Sequence, residues 1–164
     1  MADQRLTGVL LVGGSSSRFG SPKALARFEG ETLGERAWRL LGEACDEQLA
    51  VGPGSLADPG TGPVAAIAAG LRAAAHELVV VVPVDMPRLT PGALRLLAGA
   101  CRDAAVAQAG PLPCAVARRT LPVFETGERR LRTVLDGLDT ARVELDPELL
   151  ANVNTRDDLD RLGA

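Results

Sequence analysis

Strand-like and helix-like hydrophobic patterns alternate along this chain from one end to the other. The run from Leu6 to Val12, interrupted only by Thr7 and Gly8, reads as a buried strand. A helical pattern follows Thr32, with Leu33, Ala37, Leu40 and Leu41 marking one face of the segment Leu33 to Ala44. Glu47 to Val51 predicts a second, short strand. Gly52 to Pro63 is dense in glycine and proline and reads as loop, and Val64 to Ala75 as an alanine-rich helix. Leu78-Val79-Val80-Val81-Val82 is continuous hydrophobe rich in β-branched residues, the pattern of a central parallel strand buried on both faces. Thr90-Pro91 opens the next helix, with Thr as N-cap and Pro in the first turn, and that helix runs through Leu94, Leu97 and Cys101. Ala105 to Gln108 and Cys114 to Ala117 predict strands about a turn at Gly110 to Pro113. Leu131 to Leu138 reads as helix, Arg142 to Leu145 as strand and Arg156 to Leu162 as a terminal helix.

Alternation of this kind predicts an α/β fold, a three-layer αβα sandwich on a mostly parallel, Rossmann-like sheet with right-handed crossovers. At 164 residues the chain is expected to form one domain spanning positions 1–164, with a core that needs no staples. Ligands of such sheets sit beyond the carboxyl ends of the strands. Two segments qualify, because each follows a strand: Gly13 to Lys23, and Pro83-Val84-Asp85-Met86-Pro87.

The first segment, Val12-Gly13-Gly14-Ser15-Ser16-Ser17-Arg18-Phe19-Gly20-Ser21-Pro22-Lys23, combines paired glycines, hydroxyls and two cations. Glycines let backbone N–H groups approach a ligand closely, and with Arg18 and Lys23 behind them they suit a phosphate. The plainer alternative is a strand-to-helix turn carrying surface charge. Lys23 follows Pro22 and precedes Ala24, so the segment is no Walker A loop. Gly13-Gly14 with Gly20 six residues on does not make the dinucleotide Gly-x-Gly-x-x-Gly either. In the second segment, Asp85 stands just past the most hydrophobic strand and between prolines. It is either a cap on the following turn or a Mg²⁺ ligand, since one or two carboxylates plus substrate phosphates is how proteins usually hold that ion. Taken together, the two segments describe phosphoryl chemistry carried by positioning and charge neutralisation, with Lys23 meeting phosphoryl charge as pyrophosphate departs. A phosphate monoester acceptor is largely ionised at pH 7 and needs no general base, its second pKa lying near about 6.

Composition narrows the classes. The net charge is −3 and the cations are scattered, so no nucleic-acid surface is expected. Three Phe, one Trp and no Tyr leave no base-stacking platform. His76 is the only histidine, so neither a zinc site nor a Ser-His-Asp relay is easily assembled. Cys45, Cys101 and Cys114 are at unrelated spacings and read as small buried hydrophobes in a reducing compartment. Met1 to Arg5 is polar and no apolar run is long enough for a signal peptide or membrane span, so a cytoplasmic protein is expected.

The residues themselves resemble a family. The first loop is similar to the Leu-Ala-Gly-Gly-x-Ser-x-Arg-Met-Gly-x-x-Lys signature of molybdenum cofactor guanylyltransferases, small nucleotidyltransferases of the nucleoside-triphosphate transferase superfamily. Thr61-Gly62-Pro63-Val64-Ala65-Ala66-Ile67 resembles the family's Gly-Pro-Leu-x-Gly, and Val84-Asp85-Met86-Pro87 its metal-binding Cys/Val-Asp-x-Pro. Gly127-Glu128-Arg129-Arg130 and Asn152-Val153-Asn154-Thr155 resemble its later signatures, in the family's order. The resemblance implies the nucleotide-diphospho-sugar transferase fold, and transfer of GMP from GTP to the terminal phosphate of molybdenum-bound molybdopterin with release of pyrophosphate.

The resemblance also implies roles for particular residues. Val12, Gly13, Gly14 and Ser15 would line the nucleotide, with Gly13 and Gly14 taking base and phosphates, and the glycine pair leaving room for a purine. Lys23 and Arg18 would meet the phosphates and Asp85 would hold Mg²⁺. Asn152 and Asn154 would lie near the acceptor, unless Asn154-Thr155 only caps the terminal helix. Val12 replaces the usual Ala and Phe19 the usual Met. Gly52 stands where the family commonly has an Asn that helps select guanosine, and Asp58 is the sole acidic residue between Gly52 and Thr61. The segment Gln108 to Thr120 is abbreviated. Transient docking to proteins that deliver or receive the cofactor is a further expectation. Two alternatives remain: a cytidylyl- or adenylyl-transferase for another phosphorylated acceptor, and a nucleotide-binding protein without turnover.

Overall fold

The computed structural model describes residues 4–12, 23–52 and 62–163. Its elements in chain order begin with β1 (Leu6–Leu11), a 3-10 turn (Lys23–Leu25) and a small hairpin of β2 (Arg27–Phe28) and β3 (Glu31–Thr32). Helix α1 (Leu33–Ala44), β4 (Glu47–Val51), α2 (Pro63–Ala73) and β5 (Leu78–Pro83) follow. Then come α3 (Pro91–Ala100), β6 (Ala104–Ala107), β7 (Gly110–Ala117), α4 (Leu121–Phe124), α5 (Leu131–Asp136), β8 (Thr140–Val143) and α6 (Arg156–Gly163).

The main sheet has six strands in the order β4-β1-β5-β7-β6-β8. β1 pairs in parallel with β4 on one side and β5 on the other, and β6 pairs in parallel with β8. β7 runs antiparallel between β5 and β6. The Leu78 strand is therefore central and buried but parallel on one side only. Its continuous hydrophobicity reports burial of both faces, and burial does not depend on the direction of the neighbouring strand. β7 also begins at Gly110, so Gly110 to Pro113 is strand rather than turn, and the reversal falls at Gln108-Ala109. Strand β8 ends at Val143, two residues before the expected Leu145, whose N–H and C=O are instead taken up by the Gln108 side chain.

Because strand side chains alternate between faces, the sheet carries two cores. One face packs Leu6, Leu10, Val80 and Val82 against α1 and α3. The other packs Val9, Val79, Val81 and Cys114 against α2, α4 and α5. Helix α1 starts where the sequence sets a capping box: the Thr32 side chain accepts from the Glu35 N–H and the Glu35 carboxylate accepts from the Thr32 N–H. Thr90 caps α3 through the Ala93 N–H at 3.2 Å.

A third, satellite cluster joins Ala26, Phe28, Leu33 and Val153, with Leu159 and Leu162 of α6 against it. Periodicity did not reveal the two-residue strands β2 and β3, which are too short to show a period. Their turn is set by Glu29 and Gly30, both with positive φ (49° and 87°), a hairpin conformation that glycine tolerates best. This cluster brings the chain's last segment up against the carboxyl end of β5.

Candidate functional site

Strand order turns back at β1, since α1 leads outward to β4 while α2 crosses to β5 on the other flank. The crevice between the carboxyl ends of β1 and β5 is thus the switch point at which sheets of this type take ligands. Lys23, the described residue of the first segment singled out from sequence, meets the second segment there. Lys23 Nζ lies 3.5 Å from Asp85 Oδ2, across 62 residues of chain. Both side chains are part-buried, at 17% and 21% exposure, so each still reaches solvent. A contact at 3.5 Å is at the long limit of a hydrogen bond.

Asp85 sits in a turn immediately after β5, and its main chain is held from the far end of the sequence. The Val153 N–H donates to the Asp85 carbonyl at 2.8 Å, and Val153 itself is fully buried. The Asn152-Val153-Asn154 segment is therefore tied beside the Asp85 turn, with Asn152 and Asn154 exposed on either side of the buried valine. Thr155 does cap α6: its hydroxyl accepts from the Asp158 N–H, and the Asp158 carboxylate accepts from the Asn154 and Thr155 N–H groups. Those bonds, that from Asn154 first, hold the Asp158 carboxyl below its ordinary range against the opposing effect of desolvation. The cap uses the backbone of Asn154 and the side chain of Thr155, so it does not account for the asparagine side chains.

At the other lip, the Val12 N–H donates to the Val51 carbonyl at 2.9 Å, keeping the end of β1 against the end of β4. Gly52 follows at once, buried and with φ +151°, in a region that L side chains rarely adopt. Gly62, at φ +103°, precedes Pro63 at the start of α2. Of the residues expected to line the nucleotide, Val12, Lys23 and Gly52 thus stand around one crevice with Asp85. Gly13, Gly14, Ser15, Arg18 and Asp58 lie outside the described residues.

The donor chemistry suits a divalent metal shared with a substrate. Among the described residues no group of three or more His, Cys, Asp or Glu side chains forms a metal cage. Asp85 instead offers one hard carboxylate in a part-exposed position, which fits a Mg²⁺-like ion whose remaining ligands are phosphate oxygens and water. A thiolate role is excluded by burial. Desolvation pushes Cys45 and Cys114 up to about 12 and Cys101 up to about 11, so all three stay protonated near neutral pH. No helix among the described residues is long and apolar enough to cross a membrane.

Two contacts at this site had no sequence signal. One is the Val153 N–H on Asp85. The other is Arg36 of α1, whose Nε donates to the Pro87 carbonyl at 2.6 Å across 51 residues. An arginine on an amphipathic helix reads as solvated surface, and only the approach of α1 to the Met86–Pro87 turn reveals what it touches.

Comparison with known proteins agrees with this geometry. The profile of the MobA-like NTP transferase domain matches residues 8–143. The chain is 34% identical to a protein named as a probable molybdenum cofactor guanylyltransferase from Deinococcus radiodurans, over 96% of this chain and 93% of the relative. It is also 34% identical to the molybdenum cofactor guanylyltransferase of Xanthomonas euvesicatoria pv. vesicatoria, over 95% of this chain and 93% of that protein. In fold it is similar to the crystal structure of molybdopterin-guanine dinucleotide biosynthesis protein A from Archaeoglobus fulgidus, with a TM-score of 0.78, 22% identity and 96% of each chain covered.

Proposed function

The chain belongs to the family of MobA-like NTP transferase domains, and from that premise we propose that it is a guanylyltransferase. It moves GMP from GTP onto the terminal phosphate of molybdenum-bound molybdopterin. A phosphate oxygen of the acceptor bonds to the α-phosphorus, the α–β bridging bond breaks, and pyrophosphate leaves with that bond's electrons. The observation that carries this reading is the meeting of Lys23 and Asp85 at 3.5 Å in the crevice between β1 and β5.

Each side chain has a task that its position allows. Lys23, the last residue of the Gly13 to Lys23 segment after β1, neutralises charge on the phosphoryl groups. Asp85 holds Mg²⁺, which when bound supplies charge stabilisation to the phosphates. The Val153 N–H donates to the Asp85 carbonyl and so fixes the main chain of the turn that carries the carboxylate. Asn152 and Asn154, exposed beside that turn, face the acceptor. We assign binding of the nucleotide to Gly13, Gly14, Ser15, Arg18 and Asp58 as well, on the family resemblance of their segments, together with Gly52. Gly52, unlike an asparagine, adopts φ +151° without strain. We assign the protein to the cytoplasm, in transient contact with proteins that deliver or receive the cofactor.

The test is to supply Mg²⁺ and molybdopterin-loaded acceptor with GTP, CTP or ATP in turn, and to measure pyrophosphate. Turnover with GTP well above the other two is expected. Equal turnover with CTP would remove the guanine assignment, and nucleotide binding without any pyrophosphate would leave a binding protein. Asp85→Ala is expected to cut turnover more than the about 10–100-fold typical of an outer-shell partner, while GTP binding partly survives. Unchanged turnover would exclude Asp85 as the metal ligand.

A further inference from the structure

We infer that Arg36 is a positioning residue that aims the Asp85 turn and ties it to the segment carrying Lys23. The inference rests on the reading of Asp85 as the metal ligand. Arg36 stands between the two halves of the site. Its Nε donates to the Pro87 carbonyl at 2.6 Å, two residues past Asp85. Its two terminal nitrogens face the hairpin that follows Lys23: NH2 lies 3.2 Å from Glu29 Oε2 and NH1 3.6 Å from Glu31 Oε1. The guanidinium also stacks over the Phe28 ring, 4.9 Å from its centroid.

Several features make this more than a surface ion pair. The Arg36 side chain is only 23% exposed, and it lines a cavity of about 110 Å³ together with Val84, Met86 and Pro87. Phe28 is buried in the same satellite cluster as Val153, which holds the Asp85 carbonyl. The turn is thus gripped at Asp85 by a main-chain donor and at Pro87 by a charged one. Charged donors make the stronger hydrogen bonds, and a rigid fork loses less entropy per bond than a flexible ammonium. Glu29 reaches Arg36 from a positive-φ position in the hairpin turn, so the conformation of the hairpin sets where its carboxylate lies. Any shift of the Lys23–Leu25 turn and the hairpin after it is passed through Arg36 to the turn bearing Asp85.

The experiment measures Mn²⁺ binding by the loss of its free electron-spin resonance signal, with a non-hydrolysable α,β-methylene GTP analogue present. Wild type, Arg36→Met, Arg36→Lys, Arg39→Met and Asp85→Asn are compared, with circular dichroism to confirm folding. Arg36→Met is expected to weaken Mn²⁺ binding about tenfold, the scale of one charge-assisted hydrogen bond, while analogue binding without metal changes less than about twofold. Arg36→Lys is expected to weaken it about threefold, because one ammonium cannot span all three partners. Arg39→Met serves as the control. It removes a neighbouring guanidinium that pairs with Glu31 and Glu43 and, among the described residues, makes no hydrogen bond to the turn, and it should leave both affinities unchanged.

Unchanged Mn²⁺ affinity in Arg36→Met, or an equal loss in Arg39→Met, overturns the inference. If Arg36→Met does not fold, a wild-type Mn²⁺ affinity in Arg36→Lys overturns it. Asp85→Asn separates the two readings. If that variant binds Mn²⁺ as well as wild type, the metal assignment fails and the inference falls with it. If Asp85→Asn loses Mn²⁺ while both Arg36 variants keep it, only the role of Arg36 fails.

Discussion

Gly70 and Gly99 are both helical glycines, yet alanine should act in opposite directions at the two. A Cβ at Gly70 would lie 2.9 Å and 3.0 Å from the γ-methyls of Val9, the first closer than real contacts come and the second tighter than most. Val9 is 1% exposed in the middle of β1 and, being β-branched, has little rotamer freedom with which to retreat. Overpacking of this kind costs about 1–3 kcal/mol, against about 1 kcal/mol gained in helix propensity, so Gly70→Ala is predicted to destabilise by about 1 kcal/mol. Gly99 is exposed on α3 with nothing within 4 Å, and Gly99→Ala is predicted to stabilise by about 0.5 kcal/mol. Urea midpoints of the two variants decide it, and equal shifts would contradict the account. The same close approach packs α2 against β1, the strand that precedes the Gly13 to Lys23 segment. Neither glycine's environment can be read from its neighbours in sequence, since the partner of Gly70 is 61 residues away.

Among the elements, β4 is joined to β1 by more than its ladder. The Glu47 carboxylate accepts from the buried Thr7 hydroxyl at 2.6 Å and from the Ala75 N–H, after α2, at 2.8 Å. Desolvation pushes the Glu47 carboxyl up, but those two bonds, with the charges of His76 and Arg118, prevail and hold it below its ordinary value of 4.5. A carboxyl held lower in the folded state contributes stability that is complete above pH 4.5 and is lost as pH falls through the folded value. Wild type should therefore lose stability below about pH 4.5 faster than Glu47→Gln. At pH 7, Glu47→Gln should be the less stable by about 1 kcal/mol, the usual worth of such a bond. Parallel acid slopes for the two proteins would refute this. Helix α1, β4 and the start of α3 were legible in sequence because caps, turns and periods are local. β2 and β3 were not, because a strand of two residues has no period and exists only through its partner.

Across the whole molecule, the sheet has two unlike ends. Lys23, Asp85, Val12 and Gly52 gather at the carboxyl ends of the parallel strands. The opposite end holds a cavity of about 370 Å³ lined by Leu6, Cys45, Leu78 and Arg95 among others. Arg95 there donates to the Glu43 carbonyl at 2.9 Å and tethers α3 to α1. Arg95→Ala is predicted to leave kcat within about twofold of wild type while lowering the thermal midpoint slightly, since it removes one exposed hydrogen bond far from the crevice. A large fall in kcat would show that the two ends are coupled. The sequence by itself determined the alternation of strands and helices, the three-layer fold, the family, and the residue types of the loop and of Asp85. Hydrophobic period, glycine pairing and capping residues are properties of short stretches, and they survive without knowledge of the rest. Only the tertiary structure decided that β7 runs antiparallel, that Lys23 meets Asp85 at 3.5 Å, and that Val153 and Arg36 hold the Asp85 turn. The contacts of Arg36, Lys23 and Val153 join residues 51 or more positions apart, and β5 pairs with β7 across 33 or more, where strand order and helix packing, and no local pattern, decide what lies beside what.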